Sequence, residues 1–581
     1  MVDITGYVTS FVASAGNHIG NLPAGEAIIF DIAIILIIAA IFAFIAKVLK
    51  QPLILGYVLA GLIIGPLVLG FVDDSELIHA FSEIGIALLL FVAGLEISFR
   101  KIKEANLKKI ALVGILQVAA IFFIVFFLRG FLDLGTMQAA YIGVILAFGS
   151  TMVDVKLLAD RGELVTLHGR LVLGILLLQD LVAIIAIIIF TTGGFSAVPI
   201  AISFVKLLGI VIFAMLLNKF VLNRCFNFAA RSTELLFLSS LAVLFLFIIL
   251  SSLAGISIII GAFIAGVSLA NSPFKTELES RISPLRDFFA ILFFVALGMQ
   301  IVFNGIGQRM TLFWALLFGA FIIKPIITLI LLRITGYRPK TSFLTSVSLA
   351  QLSEFSLIIL ILGKNAGVID APIASTVILA TIISMAVTPY FIDHKEFLYR
   401  LFRYPLQALK FLPIGENLEY ENKKNKEILL VGAHRVGAVI LKDLMEKKDK
   451  LMVIDYNPEI ISALIKKKIS CIYGDVYSPE ILRKFDMKKL KIVISTVPNY
   501  DENVHILRVI KRLNPHAKVI VTGSRISETK KLYKAGADYV ITPKVLAGEE
   551  MAKIIHSKDY DLKKMKRKHL KRLGDIHKIL Y

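Results

Sequence analysis

Apolar runs succeed one another along the first two thirds of the chain, roughly 13 of them at about 20 residues each, the length that crosses a bilayer's hydrocarbon core. They lie near 28–48, 53–72, 81–99, 110–128, 137–155, 169–190, 197–219, 235–253, 256–270, 288–306, 311–332, 343–362 and 371–392. A chain that is 57% hydrophobic and 18% charged, with a mean hydropathy of +0.81, is too apolar for one soluble globule. It reads as an integral membrane protein as far as Ile392. Beyond that point Lys, Glu and Asp become frequent and an α/β rhythm sets in.

The net charge of +20 does not point to nucleic acid, because the basic residues gather in short loops between spans and in the tail from Lys558 to Lys578. Loops on one side of the membrane hold roughly 19 basic residues against roughly 3 on the other, which by the positive-inside rule places the amino terminus outside and the carboxyl-terminal region in the cytoplasm. The two cysteines, Cys225 and Cys471, are too few for a disulfide framework. Residues 1–25 lack the basic start and cleavage pattern of a secretory signal and read as a short peripheral segment.

One charge stands midway along an otherwise apolar span: Asp180, in Leu178-Gln179-Asp180-Leu181. A carboxylate at the bilayer centre costs at least about 2.5–3.5 kcal/mol, so such a residue faces a partner or a water-filled path. Lys324, in Phe321-Ile322-Ile323-Lys324-Pro325, is a candidate counter-charge. Together they are the minimum equipment for coupled exchange of a proton and a cation; they are equally what a purely structural ion pair requires. Gln179 could offer its amide oxygen to a dehydrated monovalent cation, or serve as packing glue between helices. No catalytic set emerges, which favours a transporter over an enzyme.

Two spans look interrupted in corresponding places. One carries Gly149-Ser150-Thr151-Met152-Val153-Asp154, the other Ala350-Gln351-Leu352-Ser353-Glu354. Small and polar residues at membrane depth suggest unwound backbone lining a cavity, the hallmark of carriers built from inverted repeats. Serine and threonine bonding back to their own helix would look the same. Ser150, Thr151, Asp154, Gln351 and Glu354 are accordingly candidates for the ion path.

In the carboxyl-terminal part, strands at 428–432, 451–455, 471–473, 491–496, 518–522 and 539–541 alternate with helices at 436–447, 458–467, 478–485, 503–513 and 527–535. This alternation predicts a parallel, doubly wound, Rossmann-like sheet. The turn Gly432-Ala433-His434-Arg435-Val436-Gly437 is a degraded G-x-G-x-x-G, with His434 at the middle glycine's place, and Asp455 closes the next strand where an acid can bond ribose hydroxyls. Asp475, after the third strand, is a further candidate. A nucleotide is the expected ligand; a domain serving only as a dimerisation platform is the alternative. The domains expected are a peripheral segment at 1–25, a membrane domain at 26–394, a linker at 395–426, the Rossmann-like domain at 427–549 and a basic tail at 550–581.

At these residues the chain resembles the Kef-type monovalent cation:proton antiporters, glutathione-regulated potassium-efflux-like exchangers fused to an RCK or TrkA-N domain. The matching stretches include Leu55-Gly56-Tyr57-Val58-Leu59-Ala60-Gly61, Phe81-Ser82-Glu83-Ile84-Gly85, Gly149-Ser150-Thr151, Gln179-Asp180, Phe293-Phe294-Val295-Ala296-Leu297-Gly298-Met299, Lys324 and Gln351-Leu352-Ser353-Glu354-Phe355. The resemblance implies about 13 transmembrane helices in inverted repeats with two broken, crossing helices, an elevator-like homodimer in the plasma membrane, and Asp180 carrying proton and cation in turn. It implies K+ ahead of Na+ as the ion, and AMP or NAD(H) as regulatory ligand. Two positions depart from the pattern: Asp154 stands where an apolar residue is expected, and His434 replaces a glycine. A ligand-gated channel and a membrane-anchored oxidoreductase are the readings from other classes.

Overall fold

The computed structural model describes residues 24–402, strand residues 419–420, residues 426–556 and a few between 563 and 574. Loop residues 50, 67, 71–75, 97–106, 162, 165, 192–196, 231, 271, 303–305, 338, 434–435, 456, 475–486 and 499 are outside that set. The described residues fall into two compact units, an amino-terminal and a carboxyl-terminal one.

The first unit is entirely helical: α1 (Ala24–Val48), α2 (Leu53–Ile64), α3 (Glu76–Glu96), α4 (Leu107–Phe127), α5 (Thr136–Ala147), α6 (Thr151–Asp160), α7 (Leu167–Thr191), α8 (Ala197–Leu217), α9 (Asn223–Ala229), α10 (Thr233–Leu253), α11 (Ile258–Leu269), α12 (Lys275–Met299), α13 (Met310–Phe318), α14 (Lys324–Ile334), α15 (Pro339–Ser348), α16 (Glu354–Asn365) and α17 (Ala371–Leu401). Among the described residues nine helices are long and apolar enough to cross a membrane, and Leu53–Ile64, Ala80–Leu95 and Ile258–Leu269 are shorter apolar helices. Their outward faces carry Phe44, Phe127, Val205 and Leu253, all well exposed, as expected where lipid tails replace water.

Helix occurs at each expected apolar run, with changes of extent at several of them. The run at 53–72 is helical only to Ile64, because Gly65-Pro66 stops it and Gly70 turns the chain at φ +58°. The span expected at 288–306 begins a dozen residues earlier, at Lys275. Its charged start is held as helix by the pairs Lys275–Glu279 at 3.5 Å and Arg281–Glu277 at 3.0 Å, each one turn apart.

Small residues bring these helices into backbone contact. A Cβ on Gly61 would lie 2.0 Å from the Val295 carbonyl oxygen, and one on Gly298 2.1 Å from that of Val58, so α2 and α12 touch where neither carries a side chain. Gly94 and Gly266 do the same for α3 and α11. In lipid, where apolar surface gains little by leaving the solvent, such close packing is what binds helix to helix.

Two spans are broken. Between α5 and α6 the backbone is extended at Phe148 and Ser150, and the Ser150 hydroxyl caps α6 by accepting from the Val153 amide at 3.4 Å. Between α15 and α16, residues 349–353 are non-helical and Ser353 caps α16 through the Phe355 amide at 3.1 Å.

The second unit is a seven-stranded sheet ordered β1-β4-β3-β2-β5-β6-β7, with β1 Glu419–Tyr420, β2 Ile428–Val431, β3 Leu451–Asp455, β4 Cys471–Tyr473, β5 Ile492–Ser495, β6 Lys518–Thr522 and β7 Tyr539–Ile541. Strands β2 to β7 are parallel; β1, which the pattern of the sequence does not announce, adds antiparallel to β4. The order reverses at β2, the topological switch point of a Rossmann sheet. Its faces are covered by α18 (Val436–Asp443), α19 (Pro458–Lys466), α20 (Tyr500–Leu513) and α21 (Ile526–Lys534), with α22 (Pro543–His556) following. The helix expected at 478–485 falls outside the described residues.

Candidate ion site and nucleotide turn

Unwinding a helix frees backbone amides and carbonyls, and at membrane depth each must find a partner inside the protein. The break before α6 meets the break before α16. The Gln351 side-chain amide donates to the Ser150 carbonyl at 3.2 Å and to Asp154 Oδ1 at 2.8 Å. Lys324 Nζ, fully buried, donates to the Phe148 carbonyl at 2.5 Å and the Gln351 carbonyl at 2.6 Å. Its charge thus sits against the negative end of α5 and against a freed carbonyl of the second break. Where sequence reasoning pairs Lys324 with Asp180, the structure seats its ammonium on these two freed carbonyls, and Asp154 is the carboxylate whose charge acts on it. The reason is local: the broken chains present unpartnered oxygens directly to the lysine.

Asp180 is half-buried at the middle of α7. Its Oδ2 accepts from the Thr151 hydroxyl at 2.9 Å, so the first residue of α6 touches the midplane acid. Next to it, buried Gln179 accepts from the Gly149 amide at 2.9 Å, and its own amide donates to Gln117 Oε1 at 3.0 Å. Gln117 in turn donates to the Ala147 carbonyl at 3.2 Å. The Gln179 oxygen that could meet a cation therefore already holds the unwound strand. One lone pair is spent on it and one is left.

Ser150, Thr151, Asp154, Gln179, Asp180, Lys324, Gln351 and Glu354, the residues expected along the ion path, lie around the two breaks. Gln117 joins them unexpected, a fully buried side chain and the only polar residue in the middle of α4. A lone glutamine among Leu, Val and Ile was the available signal. Equally unexpected is Ser356, whose hydroxyl donates to the Ile145 carbonyl at 2.7 Å and ties α16 to α5. Glu83 is exposed on α3.

Outside the spans, Glu163 lies between α6 and α7 and is bonded to His168 at 2.9 Å and to the Lys395 ammonium of α17. Burial pushes the Glu163 carboxyl up, but the His168 hydrogen bond and the charge and hydrogen bond of Lys395 outweigh it and hold the group at about 2. Arg161 bonds Asp393 beside it, joining the same two segments.

In the second unit, Gly432 follows β2 with φ +83°, a conformation that favours glycine, and a Cβ there would meet Thr496 Oγ1 at 2.7 Å. A Cβ on Gly437 would lie 2.0 Å from the Gly432 carbonyl oxygen, so α18 packs against the turn only because that position is bare. Asp455, ending β3, accepts from the Ala433 amide at 2.6 Å and from the Asn457 amide at 2.7 Å, which fixes its carboxylate beside the glycine turn. A strand, a turn of two obligatory glycines, the start of a helix at Val436 and an acid on the neighbouring strand fit a nucleotide's phosphate and ribose. His434, Arg435 and Asp475 lie outside the described residues.

Comparison with known proteins agrees with this division. Residues 32–393 match the sodium/hydrogen exchanger transmembrane family, and residues 428–543 match the TrkA-N domain. The glutathione-regulated potassium-efflux system protein KefC of Salmonella schwarzengrund is 30% identical over 507 residues, covering 86% of this chain and 80% of that protein. The protein of the same name from Escherichia fergusonii is 29% identical over the same length. Among solved structures, the sodium proton antiporter MjNhaP1 from Methanocaldococcus jannaschii is 18% identical, covering 67% of this chain and 99% of that one, with a TM-score of 0.48. The TrkA-N domain of the Escherichia coli inner membrane protein ybaL is 22% identical, covering 23% of this chain and 100% of that one, with a TM-score of 0.22. The chain belongs to the sodium/hydrogen exchanger family, with a TrkA-N domain following its membrane part.

Proposed function

We propose that the protein is a secondary antiporter exchanging K+ for H+, with Asp180 carrying each in turn and the TrkA-N domain regulating the exchange through a bound nucleotide. The observation that carries this reading is Asp180 at the middle of α7, its carboxylate touched by Thr151 where two broken helices meet. A proton and a desolvated monovalent cation both satisfy such a carboxylate, and only one of them fits at a time, which is the condition for obligatory exchange. Lys324 holds the breaks together by compensating freed carbonyls, and the Gln117–Gln179 pair anchors the extended strand that presents Thr151. The similarity to KefC, whose name is that of a potassium-efflux system, favours K+ over Na+.

In this reading the amino terminus is outside and the TrkA-N domain in the cytoplasm, in line with the loop-charge asymmetry. The transporter is a homodimer in the plasma membrane. Domain limits at 26–394 for the exchanger, 395–426 for the linker and 427–549 for the regulatory domain follow the change in composition, although α17 continues to Leu401. AMP or NAD(H) is the ligand, held by Gly432, Gly437 and Asp455, with His434, Arg435 and Asp475 as further contacts.

The test is internal pH in proteoliposomes as K+ or Na+ is added. Wild type responds to K+, and Asp180→Asn, inserted and monodisperse, does not. A response to Na+ alone keeps the mechanism and changes the ion; exchange retained in Asp180→Asn refutes the site.

A further inference from the structure

Beside the Asp180 site is a group of oxygens that the exchange mechanism leaves unexplained. Asp154 is fully buried one turn into α6, and while its Oδ1 accepts from Gln351, its Oδ2 is buried without a hydrogen-bond partner among the described residues. Gln351 spends its side-chain amide on Asp154 and Ser150, leaving its own buried Oε1 without a donor. Glu354, in the first turn of α16 and 4% exposed, has a buried Oε2 in the same condition. Three acceptors from both broken helices therefore lack a donor, and Asp154 feels the charge of Glu354 directly.

Neighbouring groups leave these particular oxygens without a donor. The charged groups near Asp154 are Lys324, Glu354 and Lys395; near Glu354 stands Arg286, and the Glu354 carboxyl is also bonded by the Ser150 hydroxyl and backbone N–H groups that include that of Met152. The Lys324 ammonium is engaged by the Phe148 and Gln351 carbonyls. A buried acceptor with no donor costs about 1–3 kcal/mol, and more when charged. A proton removes that cost most simply, since it cancels the charge and turns an orphan oxygen into a donor. A metal cation would need several further oxygens and would be repelled by Lys324.

We propose that Asp154, with Gln351 and Glu354 as its buried neighbours, is a second proton-carrying site of the exchange cycle, distinct from Asp180. The inference rests on the antiport reading. Asp154 lies three residues from Thr151 on α6, so a proton arriving or leaving there acts on the same short helix that touches Asp180. The carboxylate takes a proton on one side of the membrane and releases it on the other, adding a second proton per cation. Each turnover then moves net charge.

Two readouts on the full-length protein in proteoliposomes decide this: proton movement by an enclosed pH dye, and transport current on a solid-supported membrane after a K+ step. Wild type gives both. Asp154→Asn gives a reduced dye response, with fewer protons moved per cation, and loses the current, Asp154→Glu recovers both, and Asp180→Asn is silent in both. Asp154→Asn carrying the wild-type current per proton overturns the proposal, as does a wild type that exchanges without current. A wild type that moves no protons with either cation overturns the antiport reading and the second site with it. Should Asp154→Asn not fold, the infrared difference spectrum of wild type against Asp154→Glu decides: a shifted carbonyl band of a protonated carboxylic acid supports the site, and an unchanged spectrum overturns it.

Discussion

At the scale of single residues, the site is built from hydrogen bonds whose loss has predictable size. Removing the Thr151 hydroxyl takes one donor from the Asp180 carboxylate, a bond to a charged group worth roughly 1.5 kcal/mol or more. Thr151→Ala should therefore raise the half-saturating cation concentration about tenfold, read from dye responses across a concentration series, with about 1.4 kcal/mol corresponding to each tenfold step. In the second unit, Gly437→Ala forces a Cβ against the Gly432 carbonyl. It should cost ~1–3 kcal/mol of local stability and abolish the thermal shift expected when AMP or NADH is added to the full-length protein. A variant that keeps the full shift contradicts so close a packing of α18 on the turn.

Asp180 was legible in the sequence because charge is conspicuous in an apolar span, and Gly432, Gly437 and Asp455 because they lie in register with strand and helix. Where Lys324 seats its ammonium was not, since that depends on where two unwound segments cross. Gln117 shows the same limit: a neutral side chain in an apolar helix reveals its role only when Ala147 and Gln179 are beside it.

At the scale of elements, helices are held by bare glycine contacts within the membrane and by charge outside it. Gly61→Val would push α2 from α12, because its Cβ would sit 2.0 Å from a backbone oxygen that cannot yield. A loss of several degrees in detergent melting temperature is expected, against no change for the exposed Gly209→Val, which has open space around it. The Glu163–His168–Lys395 cluster joins the α6–α7 loop to α17. Its folded carboxyl lies at about 2 against an ordinary 4.5, so its contribution is full above about pH 4.5 and disappears as pH falls toward 2. Glu163→Gln should lower melting temperature at pH 7 and narrow to no difference from wild type in strong acid; an equal deficit at both would show that charge is not the cause. Periodicity and punctuation marked most elements. The early start of α12 escaped them because its first turns are charged, and β1 escaped because two residues leave no pattern.

At the scale of the whole molecule, an exchanger domain is followed on one chain by a TrkA-N domain. Exchange of K+ for H+ along cellular gradients drains one ion and admits the other, so a resting cell needs it restrained, and a nucleotide-binding domain is suited to impose that restraint. Adding AMP or NADH to the TrkA-N side of proteoliposomes should change the exchange rate several-fold in wild type and leave an Asp455→Ala variant at its unliganded rate; equal rates throughout would leave the domain without the proposed role.

The central claim is that cation and proton movements are coupled. The most direct measurement is to impose an outward K+ gradient on proteoliposomes of the purified protein that start with a more acidic interior, and follow internal pH. Coupled exchange drives protons inward against their own gradient, acidifying the lumen further, and Asp180→Asn abolishes this. Protons that only run down their gradient, whatever the K+ gradient, would contradict the account and leave a conductance in its place.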